Sequence, residues 1–252
     1  MVKRTGTNGF DVLRGTAGND TLNGLGGNDF LFGFAGKDLL NGGNGNDRIS
    51  GGLGMDTIKG GNGNDIGRGG DGADKIFGDA GNDTLSGDGG NDAMFGGFGN
   101  DVMNGGDGND FMSGDFGNDT LIGGDGADLL FGGSDNDTLA GGDGSDFLYG
   151  GAGLDVMTGG DGSDRFVFGA TDSLPVIAGA QTLVDIITDF RGVNQGGTDR
   201  IDLTSIVSVA FQVFDVPGQG QRLEFAANNG AGPLNIVFLP GIGPLSNADF
   251  DI

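Results

Sequence analysis

The chain contains no cysteine, no histidine and no tryptophan, and only 5 of its 252 residues are proline. Without cysteine there is no disulfide framework, and without cysteine or histidine there is no thiolate or imidazole metal site. The same absences exclude Ser-His-Asp and Cys-His catalysis, because each needs a residue type that the chain lacks. Any metal-binding side chain must therefore contribute oxygen.

Positive charge and long apolar runs are also scarce. The chain has 12 Lys and Arg against 36 acidic residues, a net charge of −24. This balance argues against nucleic acid and against an anionic membrane surface as partners, and it favours cations. No stretch approaches the ~18 apolar residues of a transmembrane segment. The first six residues contain no apolar run either, so we expect no cleavable signal peptide, and an export signal would lie elsewhere.

Glycine is abundant, and it follows a repeat. The 60 glycines make up about a quarter of the chain, against a usual share of about 7%. Glycine stands five residues before each aspartate of a regular series and, except at Asp135, two residues before it. An apolar residue stands two residues after each, except at Gly67. The consensus from residue 6 to 167 is G-G-x-G-x-D-x-U-x, with U apolar. The aspartates recur every nine residues: Asp11, Asp20, Asp29, Asp38, Asp47, Asp56, Asp65, Asp74, Asp83, Asp92, Asp101, Asp110, Asp119, Asp128, Asp137, Asp146, Asp155 and Asp164.

Each part of the repeat has a structural interpretation. The glycine-rich hexad predicts a turn that uses positive φ, and the aspartate that replaces a turn glycine at Asp135 tolerates that geometry. The triplet x-U-x predicts a short strand with U pointing inward. One nine-residue unit gives a turn and a strand, so two units give a coil of eighteen residues. Residues eighteen apart should therefore stack.

Stacking brings the aspartates of alternate repeats close to the ~4.8 Å spacing of strands. Carboxylates at that distance repel unless a cation lies between them. Carboxylate and turn carbonyl oxygens form the flexible, all-oxygen cage that Ca²⁺ prefers, whereas Mg²⁺ demands tighter octahedral geometry. The apolar residues alone bury too little surface to offset the ordering of so long a chain, so calcium is expected to be structural. With each ion between loops two apart, eighteen loops provide at most about 16 sites.

Other interpretations of the repeat fit less well. A flexible Gly/Asp linker would not keep an apolar residue in phase with aspartate. Collagen needs glycine at every third position, and an EF-hand needs a different acidic loop that ends in glutamate.

The nonapeptide resembles the RTX (repeat-in-toxin) family. The resemblance covers residues 6–167 and implies an all-β, right-handed parallel β-roll. It implies Ca²⁺ ligated by the aspartates named above, from two loops two repeats apart, and by carbonyls of their hexads. It also implies export from a Gram-negative bacterium by type I (ABC) secretion machinery that uses an uncleaved C-terminal signal.

From residue 168 the nine-residue pattern stops, which predicts a second region over residues 168–252. Strands are expected at Thr182–Phe190, Arg200–Ile206, Phe211–Val216, Arg222–Ala226 and Asn235–Leu239. The segments 185–190, 199–203 and 245–252 resemble the C-terminal region of serralysin-type secreted proteins. The resemblance implies a secretion signal, and a β cap on the roll is the alternative that can coexist with it. Further calcium candidates in this region are Asp185, Asp189, Asp199 and Asp202.

The outward-facing residues predict two unlike faces. One side is strongly apolar in its second half, whereas the opposite side carries mainly small and polar residues. A large exposed apolar patch marks a contact surface, either for self-association or for an apolar target. The alternative is that the C-terminal region folds back over it. The residues of this face are Phe77, Phe95, Phe111, Phe131, Phe147 and Tyr149.

The functional prediction is a non-enzymatic calcium-binding protein, secreted to the cell surface or beyond and folded there by calcium. The alternative is the C-terminal secretion and folding module of a larger exported hydrolase. No H-E-x-x-H or G-x-S-x-G motif is present, and a roll beginning at residue 6 leaves no space for an upstream catalytic domain in this sequence. An ice-binding or sugar-binding adhesin would need regular threonine arrays or a basic groove, and neither is clear.

Overall fold

The computed structural model describes residues 1–167 completely and, beyond them, the backbone of six short segments between residues 185 and 251. No helix in this described part is long and apolar enough to span a bilayer. The strands are β1 Lys3–Thr5, β2 Val12–Thr16, β3 Thr21–Gly26, β4 Phe30–Ala35, β5 Leu39–Asn44, β6 Arg48–Leu53, β7 Thr57–Asn62, β8 Ile66–Asp71, β9 Lys75–Ala80, β10 Thr84–Gly89, β11 Ala93–Phe98, β12 Val102–Asp107, β13 Phe111–Phe116, β14 Thr120–Asp125, β15 Leu129–Ser134, β16 Thr138–Gly144, β17 Phe147–Ala152, β18 Val156–Gly162, β19 Arg165–Val167, β20 Asp185–Ile187, β21 Arg200–Asp202, β22 Val209–Val216, β23 Gly220–Ala227, β24 Leu234–Phe238 and β25 Phe250–Asp251.

Strands two apart in the chain pair in parallel and form two sheets. The odd sheet runs β1, β3 and so on to β19, then β21 and β25. The even sheet runs β2, β4 and so on to β20, then β24, β23 and β22. Within the repeats the register shift is eighteen residues, as where Thr84 lies opposite Val102. The predicted parallel β-roll with an eighteen-residue coil is confirmed.

The strands are longer than the predicted triplet. Most contain six residues, because the first three residues of the following hexad continue the strand, as in β10. The turn is confined to the rest of the hexad. From the third hexad onward, left-handed backbone occurs at the second and fourth hexad positions, for example at Asp88 (φ 71°) and Gly90 (φ 125°). Asp135 is left-handed as predicted, with φ 79°.

The core is a single file of side chains between the two sheets. Every U position is buried, and every one except Gly67 carries an apolar side chain. The core therefore consists of Leu13, Leu22, Leu31, Leu40, Ile49, Ile58, Ile76, Leu85, Met94, Met103, Met112, Leu121, Leu130, Leu139, Leu148, Met157 and Phe166. Since one residue per strand fills the interior, each coil contributes little apolar burial of its own.

Gly67 interrupts this file, but its neighbours partly close the gap. A Cβ built there would lie 3.2 Å from Leu85 Cδ2, 3.4 Å from Ile76 Cγ2 and 3.5 Å from Ile58 Cγ2. We expect Gly67→Ala to stabilise the folded chain by about 1 kcal/mol, because it adds a buried methyl group and restricts the unfolded chain. Thermal unfolding at fixed calcium tests this, with a higher midpoint expected. A lower midpoint would mean that Leu85 cannot make room.

The strands beyond residue 167 continue both sheets. β20 pairs with β18, and β21 pairs with β19, both in parallel. β22, β23 and β24 form an antiparallel meander at the end of the even sheet. Each of the five strands predicted in this region overlaps an observed one, and β25 was not predicted. The described strands of this region thus extend the ends of the two sheets.

Candidate metal centre

The hexad loops form two edges of the roll, and on each edge they stack eighteen residues apart. The first edge holds the loops that end at Asp11, Asp29 and every eighteenth residue to Asp155. The second holds those that end at Asp20, Asp38 and so on to Asp164. Seventeen of the eighteen predicted aspartates are buried, at 0–3% exposure, and Asp11 at the end of the roll is half-buried. Burial on this scale is rare for aspartate unless it is paired or bound to a metal.

One carboxylate oxygen of each stacked aspartate has a backbone partner. The amide of Asp11 donates to Asp29 Oδ1 at 2.7 Å, and the same link recurs up both edges to Asp146, whose amide donates to Asp164 Oδ1 at 3.0 Å. These links join the loops into a ladder and fix the rotamer of each aspartate from Asp29 to Asp164. The other oxygen, Oδ2, is therefore directed to a defined place in each loop.

That second oxygen is buried without a hydrogen-bond partner in sixteen aspartates. A buried acceptor left unpaired costs about 1–3 kcal/mol, and more when it is charged. Sixteen such atoms stacked in register are explained by bound cations and not by chance. The residues are Asp29, Asp38, Asp47, Asp56, Asp65, Asp74, Asp83, Asp92, Asp101, Asp110, Asp119, Asp128, Asp137, Asp146, Asp155 and Asp164.

The first glycine of each hexad leaves the space beside this oxygen open. A Cβ on Gly105 would lie less than 3.0 Å from both Asp110 Oδ2 and the carbonyl oxygen of Gly123, which belongs to the next loop of the same edge. The same pair of oxygens borders the first glycine of every hexad from Gly6 to Gly141. We call this space the cradle. It brings together a carboxylate and a carbonyl from two stacked loops.

The donor set of the cradle suits calcium. No group of three or more acidic side chains in the described residues is placed to hold one ion, so carbonyl oxygens must supply part of the coordination. Calcium accepts six to eight oxygen ligands, including backbone carbonyls, in flexible geometry. Softer metals need nitrogen or sulfur ligands. Calcium bound here would neutralise the Oδ2 atoms that nothing else pairs.

Burial makes these carboxyl groups hard to ionise in the metal-free chain. It raises the pKa of Asp65, Asp92 and Asp119 to about 7, and that of Asp137 to about 8, with neighbouring aspartates adding to the effect. Asp20 is different. Burial raises its pKa, but hydrogen bonds from Thr16 and Val2 outweigh burial and leave the pKa below its ordinary value.

Two sets of loop residues that form hydrogen bonds were not predicted from the sequence. Thr7 and Thr16 donate to Asp11 and Asp20, and their replacement of the usual glycine at the second hexad position was the available signal. On the first edge, the residue before the aspartate is asparagine in seven consecutive loops. Each asparagine Oδ1 accepts the amide of the residue eighteen further on, at 2.8–3.0 Å. An eighteen-residue comparison of the sequence would have found the set: Asn28, Asn46, Asn64, Asn82, Asn100, Asn118 and Asn136.

The predicted apolar face lies on the odd sheet as one row of rings. Phe77 and Phe95 stack with ring centroids 5.1 Å apart, and the row continues through Phe111 and Phe131, each step being 5.5 Å. Phe147 and Tyr149 complete it next to Phe131. The six side chains are half-buried by one another. We call this set the aromatic row.

A second aromatic group lies on the even sheet, near the N-terminal end. Phe30 and Phe32 stack at 6.5 Å, and Arg48 and Arg14 lie over their rings at 5.6 Å and 5.5 Å. The even sheet was expected to carry mainly small and polar residues, and near its N-terminal end this aromatic group departs from that expectation.

The calcium candidates in the C-terminal region lie outside the part of the chain whose side chains the structure describes. Asp185 and Asp202 lie on β20 and β21, whose side chains fall outside the described part. Asp189 and Asp199 lie outside the described residues altogether.

Comparison with known proteins identifies the repeat. No curated protein matches the chain. Among solved structures, the chain is similar to the solution structure of the AlgE6R3 subunit of the mannuronan C5-epimerase from Azotobacter vinelandii. The identity is 25%, the match covers 64% of this chain and 78% of that one, and the TM-score is 0.29. The family model of the RTX calcium-binding nonapeptide repeat matches residues 5–40, 32–67, 68–103, 104–139 and 140–172. With two thirds of its length built from this repeat, the chain belongs to the RTX calcium-binding family.

Proposed function

We propose that this chain is a non-enzymatic calcium-binding protein that is exported by type I secretion machinery and folded outside the cell by calcium. The observation that carries the proposal is the series of sixteen buried Oδ2 atoms without a partner. A fold that buries so many unpaired acceptors needs ions to be stable, because ligands that bind only the folded state stabilise it by mass action. The single-file core buries too little apolar surface to stabilise the fold without ions.

Export follows from the supply of ions. Cytosolic calcium is too low to fill sites with the weak affinity of extracellular modules, so the chain would stay unfolded inside the cell. An unfolded chain is suited to passage through an ABC exporter, and calcium outside would then fold it. The role we propose is structural or adhesive, at the cell surface or in the surrounding medium.

A calcium titration followed by circular dichroism tests the proposal. We expect a cooperative transition from coil to β-sheet with calcium, and none with magnesium at the same concentration. A chain that keeps its sheet content after exhaustive chelation would rule out folding by calcium.

The aromatic row supports a partner for the folded protein. Six half-buried rings lie next to one another on one sheet face, and a contiguous apolar surface of this kind marks a contact site. We propose that this surface mediates self-association or binds an apolar target. The described strands β20 to β25 lie at the ends of the sheets rather than across the row.

Replacing Phe111, Phe131 and Tyr149 with serine is expected to change the association state while leaving calcium-induced folding intact. All three side chains point outward, so their loss removes contact area but no core packing. Sedimentation velocity in calcium measures association, and circular dichroism measures folding. Loss of the calcium-induced transition would place these residues in the core instead. A matched control is Thr84→Ser and Thr138→Ser on the even sheet, for which no change is expected.

A further inference from the structure

The first two loops of the roll differ from all the later ones in how they satisfy their aspartate. The amide and the hydroxyl of Thr7 both donate to Asp11 Oδ2, at 2.6 Å and 2.9 Å. The amide and the hydroxyl of Thr16 do the same for Asp20 Oδ2, at 2.5 Å and 2.8 Å. These are the only two repeat aspartates whose Oδ2 is not an unpartnered buried atom.

The backbone of these loops differs as well. From the third loop onward the second and fourth hexad residues are left-handed, even where the second is Leu25 (φ 78°) or Phe34 (φ 77°). Bulky side chains pay roughly 1–2 kcal/mol for that geometry. Thr7 and Thr16, with Gly9 and Gly18 two residues later, are not left-handed. The later loops thus keep one shape at a cost, and the first two adopt another.

The threonine donors are incompatible with an ion at the same oxygen. Two hydrogens, one from the amide and one from the hydroxyl of the threonine, already point at Oδ2. A calcium ion would meet their positive ends and would have to displace both. Since a carboxylate that accepts such bonds is already stabilised, nothing in these loops calls for a cation.

We propose that the loops 6–11 and 15–20 bind no metal, and that Thr7 and Thr16 replace calcium there as the partners of Asp11 and Asp20. This rests on the proposed calcium function of the later loops. It limits calcium to fourteen of the sixteen stacked pairs within the repeats, those from Asp29 to Asp146. The loops at the N-terminal end of the roll are then held by hydrogen bonds from Thr7 and Thr16 and do not depend on ions.

The test is to count bound calcium in full-length variants by equilibrium dialysis with atomic emission. Asp11→Asn and Asp20→Asn together are expected to leave the number of ions unchanged. The matched pair Asp29→Asn and Asp38→Asn, one loop higher on each edge, is expected to lose two. Thr7→Gly and Thr16→Gly together are expected to gain two, because glycine removes the hydroxyl and permits the left-handed turn.

Two results would overturn the proposal: fewer ions in the Asp11→Asn, Asp20→Asn variant, or no added ions in the glycine variant when circular dichroism shows it folded. Hydrogen exchange of the first two coils gives an independent readout. Partial withdrawal of calcium should expose the amides of the later coils before those of residues 6–20. If the wild-type chain binds no calcium at all, the proposed function fails. This outcome differs from one in which the wild-type chain binds calcium and the first two loops bind it as well, which overturns only the present proposal.

Discussion

Gly87→Ala is expected to lower the thermal unfolding midpoint of the calcium-loaded protein by on the order of 10 °C and to remove one bound ion. The added Cβ would lie less than 3.0 Å from Asp92 Oδ2 and from the carbonyl oxygen of Gly105, the two oxygens that border the cradle. Overpacking costs about 1–3 kcal/mol, and a site lost at a hundred times its Kd costs about 2.7 kcal/mol more. For a domain of this size each kcal/mol corresponds to roughly 2–4 °C.

Gly89→Ala is the matched control, two residues further along the same strand. A Cβ at Gly89 has no atom within 4 Å, and neither Gly87 nor Gly89 is left-handed. The two variants therefore differ in the cradle alone. Differential scanning calorimetry at fixed calcium, with dialysis to count ions, separates them. Equal behaviour of the two variants would show that the cradle does not hold the ion.

Lowering the pH from about 8 to about 5 is expected to restore sheet structure to the metal-free chain. The pKa of Asp119 is about 7 and that of Asp137 about 8, against an ordinary value of 3.8. Because the folded chain binds more protons than the unfolded chain, its stability falls as the pH rises from 3.8 towards these values. The loss of stability is complete above about pH 8 and absent below pH 3.8. Protonation therefore substitutes in part for the missing ions.

Circular dichroism in the presence of chelator, at a series of pH values, measures this effect. The calcium-saturated protein serves as the control, and its sheet content should stay constant between about pH 6 and pH 8, because its carboxylates are held as ligands. A metal-free chain with the same coil spectrum at both ends of the range would contradict the pKa shifts and the burial that causes them.

Most of the roll could be predicted from the sequence because its period is uninterrupted. The spacing of the aspartates fixed the coil at eighteen residues, and the buried file from Leu13 to Phe166 follows the predicted U positions. The aspartates meet on two edges for the same reason. Carboxylate and carbonyl donors from two stacked loops were expected, but the orientation of the cradle could not be predicted, since it depends on which of two carboxylate oxygens takes the amide of the stacked loop. That choice is made by three-dimensional packing.

Substitutions at the second hexad position change the loops in ways that the consensus does not predict. Thr7 and Thr16 stand where most later hexads carry glycine, yet their loops lack the left-handed backbone and the threonines pair with the aspartate. Leu25 and Phe34 are substitutions at the same position with the opposite outcome, because their loops stay left-handed. A hydroxyl that can hydrogen-bond locally accounts for the difference.

The eighteen-residue register determines what kinds of length variation this molecule tolerates. Duplicating two neighbouring units would lengthen the rod by one coil, about 4.8 Å, and leave every downstream side chain on its original sheet. Duplicating a single unit would exchange the sheets for everything that follows, so that the rings from Phe95 to Tyr149 would emerge on the opposite side. Gene variants that differ by 54 nucleotides should thus be far more common among such rods than variants that differ by 27.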